Sequence, residues 1–204
     1  EHSREGLMTD GKGPWIEPVS LSGSVVRLDP LTLEDVPALW NVAQHEALWW
    51  WMPMTMVSLA DMERAMEWVL SGTGQGFVTR LRSSGEVLGG TTYLNAEGHN
   101  RRVEIGFTWL TPEWQRTAVN TECELLLMRH AFEVLGASRV EFKTDSMNAP
   151  SRAAVQRIGA REEGTLRNHM VRPDGSFRHS VYFSVLPQEW PAVEEAFEAC
   201  LARS

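Results

Sequence analysis

The chain has 204 residues, 43% hydrophobic and 23% charged, which excludes disordered and collagen-like classes and suits one domain or two small ones. Its 19 Lys and Arg against 27 Asp and Glu give a net charge of −8, which argues against bulk nucleic-acid binding and leaves cationic or small-molecule partners open. No apolar run approaches the roughly 18 to 20 residues of a membrane span, and two cysteines make neither a disulfide framework nor a structural zinc site.

Residues 1–20 are polar and broken by Gly and Pro, so a loose tail is expected. It lacks the apolar centre of a signal peptide, and Met8 is a candidate natural start, with the preceding residues an expression remnant. A reducing cytoplasm is the expected compartment. From residue 21 to 204 the pattern reads as one α/β (α+β) domain with no internal repeat or linker.

Ser24 to Pro30 reads as a strand. Thr32, with Asp35 three residues on, opens a helix carrying Val36, Leu39, Trp40 and Ala43 on one stripe. Ser58 and Asp61 open a second, with Met62, Ala65, Met66 and Val69 inward. Between them lies Trp49-Trp50-Trp51, part of the one compositional outlier, nine tryptophans. Strands follow at Phe77 to Leu81, Val87 to Leu94 and Val103 to Leu110. In the last, Val103, Ile105, Phe107 and Trp109 are expected on one face and Glu104, Gly106 and Thr108 on the other.

A loop then leads to a helix expected to begin at Asn120 or Thr121, with Thr121 and Glu124 as its capping box and Gly136 as its stop. Apolar residues cover most of its circumference, as on a buried helix. Arg139 to Asp145 is a strand and Ser151 to Ile158 a short helix stopped by Gly159. Pro173-Asp174-Gly175 turns a hairpin between Gly164 to Val171 and Phe177 to Val185. An amphipathic helix with Trp190, Val193, Phe197, Cys200 and Leu201 on one face closes the chain.

Gly72-Thr73-Gly74-Gln75-Gly76 imitates a phosphate loop but follows a helix and precedes a strand, the reverse of the order that turns helix amides toward an anion. It reads as a plain turn. The right order occurs after Leu110, where a strand delivers the chain through Gln115-Arg116-Thr117-Ala118-Val119-Asn120 to a helix N-terminus. Free first-turn amides, the positive end of the helix dipole and Arg116 suit a pyrophosphate there, although every strand-to-helix turn has free amides.

The order of elements from 24 to 187 resembles the GNAT superfamily of acyl-CoA-dependent N-acetyltransferases, and most closely its RimJ/RimL group. Four stretches carry the resemblance: Glu104 to Phe107, Trp114-Gln115 through Glu122, Asn148 to Ser151, and Ile158-Gly159-Ala160 with Glu163-Gly164. It implies a single mixed, mostly antiparallel sheet flanked by helices, with acetyl-CoA as acyl donor, no metal, and a primary amine as acceptor. The donor would be held along Trp109, Leu110, Gln115, Arg116, Thr117, Ala118, Val119, Asn120, Thr121, Asn148 and Ser151. Ala118 and Asn120 stand where the family usually has glycines.

The resemblance further implies Glu104 as general base acting through water and Ser151 as the acid protonating the leaving thiolate. From the residues alone, Glu104 reads first as a surface carboxylate paired with Arg101 or Arg102, and Asn148 with Ser151 as a helix cap. Trp49, Trp50 and Trp51 fit an aromatic wall for the acceptor or, as well, packing or a dimer face. A homodimer is the expected assembly, from these tryptophans and the closing helix. Cys123 and His130 read as core residues, and Arg152, Arg157 and Arg161 as a solvated face within reach of a CoA phosphate. The acceptor is a protein N-terminus or a small amine. Alternatives are another donor such as succinyl-CoA, a CoA-binding domain without turnover, or a binding module built on the tryptophan run.

Overall fold

The computed structural model describes residues 15–203, so Met8 and the rest of 1–14 lie outside the described residues. Residues 15–20, expected in the loose tail, are held in place. Trp15 Nε1 donates to the Leu135 carbonyl at 3.1 Å, Ile16 is buried, and the Gln75 side-chain amide bonds both the N–H and the C=O of Val19.

The elements in chain order are β1 (Leu21–Ser22), β2 (Val26–Pro30), α1 (Val36–Val42), α2 (Leu59–Leu70), β3 (Gln75–Leu81), β4 (Val87–Glu97), β5 (Arg102–Leu110), α3 (Ala118–Arg129), β6 (Arg139–Asp145), α4 (Ala149–Arg157), β7 (Arg161–Val171), β8 (Phe177–Val185) and α5 (Trp190–Leu201). The strands form one sheet in the order β1-β2-β3-β4-β5-β6-β8-β7. Every pairing is antiparallel except β5 with β6. The mixed, mostly antiparallel sheet expected from the resemblance is therefore present.

Alternation along the strands sends side chains to two cores, one per face of the sheet. Phe77 joins a core with α3 and α5, while its neighbour Val78 joins one with α1 and α2. The Ser58 cap is as the sequence reads: its hydroxyl accepts from Asp61 N–H, and the Asp61 carboxylate accepts back from Val57 N–H at 3.1 Å. α3 is the buried helix its composition requires, with no exposed residue from Ala118 to Arg129. The apolar side of α5, Trp190, Val193 and Phe197, is spent inside this chain's own core, which removes it as a dimer face.

Two expectations fail for local reasons. α3 begins at Ala118, not Asn120: Thr117 is the cap, its Oγ1 accepting from Val119 N–H at 3.3 Å. The Thr121–Glu124 pattern is thus inside the helix and makes no capping box. On β5 the alternation breaks at Phe107, whose φ is +48°. A bulge there puts two residues of β5 against one of β4, as the register passes from Gly90↔Trp109 to Thr92↔Gly106. Val103 and Ile105 face the α3 core, whereas Trp109 enters the α1–α2 core and Phe107 packs against it.

Candidate active site

The parallel pairing of β5 with β6 stops at Glu104↔Glu141, although β6 stays paired with β8 as far as Asp145. Beyond Glu104 the two strands part. A cavity of about 560 Å³ opens between them, bounded by residues 104–108 of β5, 142–145 of β6, the start of α4, and the segment from Trp51 to Met54.

Glu104 is on its wall, 2% exposed. Its carboxylate accepts from Asn95 Nδ2 at 2.9 Å and lies 3.3 Å from Lys143 Nζ. Pairing with Arg101 or Arg102 does not occur: Arg102 is engaged by Glu97 and Glu141, and Arg101 is exposed. Asn95 reaches Glu104 from a backbone at φ +49°, in the irregular stretch of β4 between Leu94 and Glu97. Asn is among the few residues that take this conformation readily. Asn148 caps α4, its side chain accepting from Ser151 N–H at 3.1 Å, and both residues line the cavity opposite β5.

The loop from Gln115 to Thr117 is exposed and is not part of the cavity lining. Gln115 Nε2 donates to the Leu110 carbonyl at 2.9 Å, and Arg116 sits at φ +59°, where glycine is favoured. The first-turn amides of α3, from Thr117 to Asn120, have no helical partner by geometry. The side chains of Trp109 and Leu110 are buried in the two cores, which leaves their backbone as the part that can meet a donor.

The tryptophan run divides. Trp49 is a core residue, 7% exposed, its Nε1 donating to the Ala43 carbonyl and its ring 5.2 Å from that of Trp109. Trp50 is exposed at 64%, and Trp51 lines the cavity. Trp68 and Phe107, which lie outside the run and carry no local mark of a site, supply further aromatic wall, edge to face at 6.0 Å. Cys123 and His130 are buried as expected, and burial pushes the Cys123 thiol up and the His130 imidazole down.

Four charged residues of the wall escaped the sequence reading. Lys143 and Asp145 stand two apart on β6, and Arg178 faces them from β8; a polar residue recurring every second position on a central strand was the available signal. Glu124, released from its supposed cap, accepts from Asn120 Nδ2 at 2.9 Å, and burial pushes its pKa up to about 7. Among the described residues no group of acidic, His and Cys side chains is arranged to hold a metal ion, and no helix is long and apolar enough to cross a membrane.

Residues 26–161 match the acetyltransferase (GNAT) domain family. YdaF of Bacillus subtilis (strain 168), named for a proposed ribosomal N-acetyltransferase activity, is 33% identical over 115 residues; the match covers 56% of this chain and 62% of that protein. A GCN5-related N-acetyltransferase from Brucella melitensis is 32% identical, with TM-score 0.85 over 92% of this chain and 87% of that one. Mycobacterium smegmatis RimJ, solved with CoA-disulfide, has the same fold at 24% identity, TM-score 0.73, covering 90% of this chain and 93% of its own. The chain belongs to the GNAT acetyltransferase family.

Proposed function

We propose that this GNAT-family chain transfers an acetyl group from acetyl-CoA to a primary amine, either the α-amine of a protein N-terminus or a small amine, by direct attack in a ternary complex. The observation carrying this reading is that Glu104 and the capped α4 start with Ser151 line one cavity, opened where β5 and β6 part. The chain's own groups fit the donor. First-turn amides of α3 and Arg116 suit its pyrophosphate, and Asn148 with Ser151 stands beside the cavity where its thioester end would reach.

The acceptor must be neutral to attack. At pH 7 that costs about 1 kcal/mol for an α-amine and about 4.6 kcal/mol for a lysine. A carboxylate acting through one water suffices for the first, which favours α-amines. Glu104, held by Asn95 and Lys143 on the cavity wall, takes that role in this reading. The amine nitrogen forms the new bond to the thioester carbon, the C–S bond breaks, Glu104 receives the amine proton through water, and the Ser151 hydroxyl donates to the departing sulfur. Exposed Trp50 offers an apolar contact for a homodimer, and sedimentation measures that assembly directly.

Calorimetric titration with acetyl-CoA, with ATP and NAD as controls, tests the donor. Micromolar binding, followed by thiol release on adding amines, is expected. Absence of acetyl-CoA binding overturns the reading, and preference for succinyl-CoA in competition changes its donor.

A further inference from the structure

Arg178 is the least satisfied charge in the cavity. It is 6% exposed and lines the wall, yet its Nε has no hydrogen-bond partner, and Nη1 makes one long bond, 3.3 Å to the Trp51 carbonyl. The charged groups around it do not balance it. Asp145 is taken by Arg172 and by Met147 N–H, leaving its Oδ2 4.0 Å from Arg178 Nε. Glu104 is taken by Lys143 and Asn95. Glu124 is taken by Asn120. Each of these carboxylates is thus engaged elsewhere, and none hydrogen-bonds Arg178.

A buried guanidinium without a bonded counter-ion is unfavourable, and burial pulls its proton affinity down accordingly. The remaining wall near it is apolar, with Trp51, Met52, Trp68, Phe107 and Met170. The whole chain's −8 would attract a cationic acceptor; this pocket asks for an anionic group.

We propose that Arg178 is the specificity residue of the acceptor site and that it selects a carboxylate carried beside the reacting amine, so that the acceptor is a free α-amino acid with an apolar or aromatic side chain. This rests on the acetyltransferase reading above and chooses the small-amine branch of it. The planar guanidinium offers paired donors to a carboxylate, the aromatic and methionine walls take the side chain, and the amine is left to face Glu104.

The experiment measures kcat/KM at saturating acetyl-CoA for L-phenylalanine, L-methionine and L-leucine against their amides, in the wild type, Arg178→Gln and Arg178→Lys. Amides have the less basic amines, so basicity alone favours them. A wild-type preference for the acids of about 100-fold is expected, since sites built to bond a group reject analogues lacking it. Arg178→Gln should erase the preference by slowing the acids and leaving the amides within a few-fold, and Arg178→Lys should retain part of it.

Equal wild-type rates on acids and amides overturn the proposal. So does an equal loss on both in Arg178→Gln, which marks a strut for Trp51, or a weakened acetyl-CoA affinity, which assigns Arg178 to the donor. If no amine is turned over but acetyl-CoA binds, calorimetric titration of L-phenylalanine into the CoA-loaded wild type decides, and no binding sinks this inference alone. Failure to bind acetyl-CoA sinks the reading beneath it.

Discussion

Glu122→Gln removes one charge and no volume, and its cost follows from where four donors point. Glu122, on the second turn of α3, is 4% exposed, and Oε1 accepts from Ser24 N–H at 2.7 Å and Ser24 Oγ at 2.6 Å. Oε2 accepts from Val25 N–H at 2.8 Å and Val26 N–H at 2.7 Å. The approach is close enough that a Cβ on Gly23 would lie 2.2 Å from the carboxyl carbon. Glutamine keeps one acceptor oxygen and turns an NH2 toward the other pair of N–H groups. Each buried N–H left unpaired costs about 1–3 kcal/mol, so about 4 kcal/mol is expected, with no cavity contribution. At about 2–4 °C per kcal/mol for a chain this size, Tm should fall by about 8–16 °C.

Urea unfolding followed by circular dichroism checks this at several pH values. Burial pushes the Glu122 carboxyl up, but the bonds from Ser24, Val26 and Val25 outweigh it and hold the group below the usual carboxylate range. A lowered folded pKa means stability that is full above the unfolded value near about 4.3 and is lost as pH falls toward the folded one. The gap between variant and wild type should therefore hold from neutrality to about pH 5 and narrow only below that. A neutral-pH difference under about 1 kcal/mol, or a gap that widens in acid, would refute the assignment.

Glu104→Gln should lower kcat by about 100-fold, most steeply at low pH where acceptor deprotonation limits, and an unchanged pH–rate profile would remove the base. Ser151→Ala should slow turnover by about tenfold with acetyl-CoA affinity intact, consistent with one lost donor to sulfur; full rate would take it out of the mechanism. Thermal melts of Trp49→Ala and Trp50→Ala should separate the tryptophan run, at about 3–5 kcal/mol for the buried ring and within about 0.5 kcal/mol for the exposed one. Equal effects would contradict the burial pattern.

Elements with a repeating local signal were legible. α3 shows apolar residues spread over more than one face, which marks a helix with no exposed side. Asn148 as a cap follows from residue type and order alone, and so does the turn at Gly72–Gly74, although Gln75 and Gly76 of the expected turn already belong to β3. Thr121–Glu124 misled because the motif is satisfied by spelling; the real cap, Thr117, lies one turn earlier. Phe107 carries no mark of a bulge, since neither Gly nor Asn occupies the positive-φ position. The alternation along β6 marks Lys143 as a polar position, but its partner was out of reach for another reason. Lys143 meets Glu104 across a parallel strand pair 39 residues apart, and no local window contains both.

The parting of β5 from β6 also bears on the proposed acyl-CoA donor. From Ile105 to Leu110, β5 has β4 on one side and no strand partner on the other, because β6 has turned away. Its backbone groups on that side need hydrogen-bond partners, and a cavity wall of unpaired strand edge is a template for an extended ligand that carries amides. The arm of CoA is such a ligand: a chain with two peptide-like amides, ending in the thioester. Laid along β5 with its phosphates toward α3, it would bring the acyl carbon to the level of Glu104 and the α4 start, where the charged wall begins. The fold then divides the labour by distance along one strand. On the proposed reading, backbone edge and helix amides would hold the donor without side-chain specificity, so Ala118 and Asn120 could replace glycines with little loss, while the side chains past the bulge, Glu104 and Arg178 among them, would discriminate the acceptor. Shifting donor affinity should accordingly require changes that block the β5 edge or the α3 start, and shifting acceptor choice should require only the cavity wall.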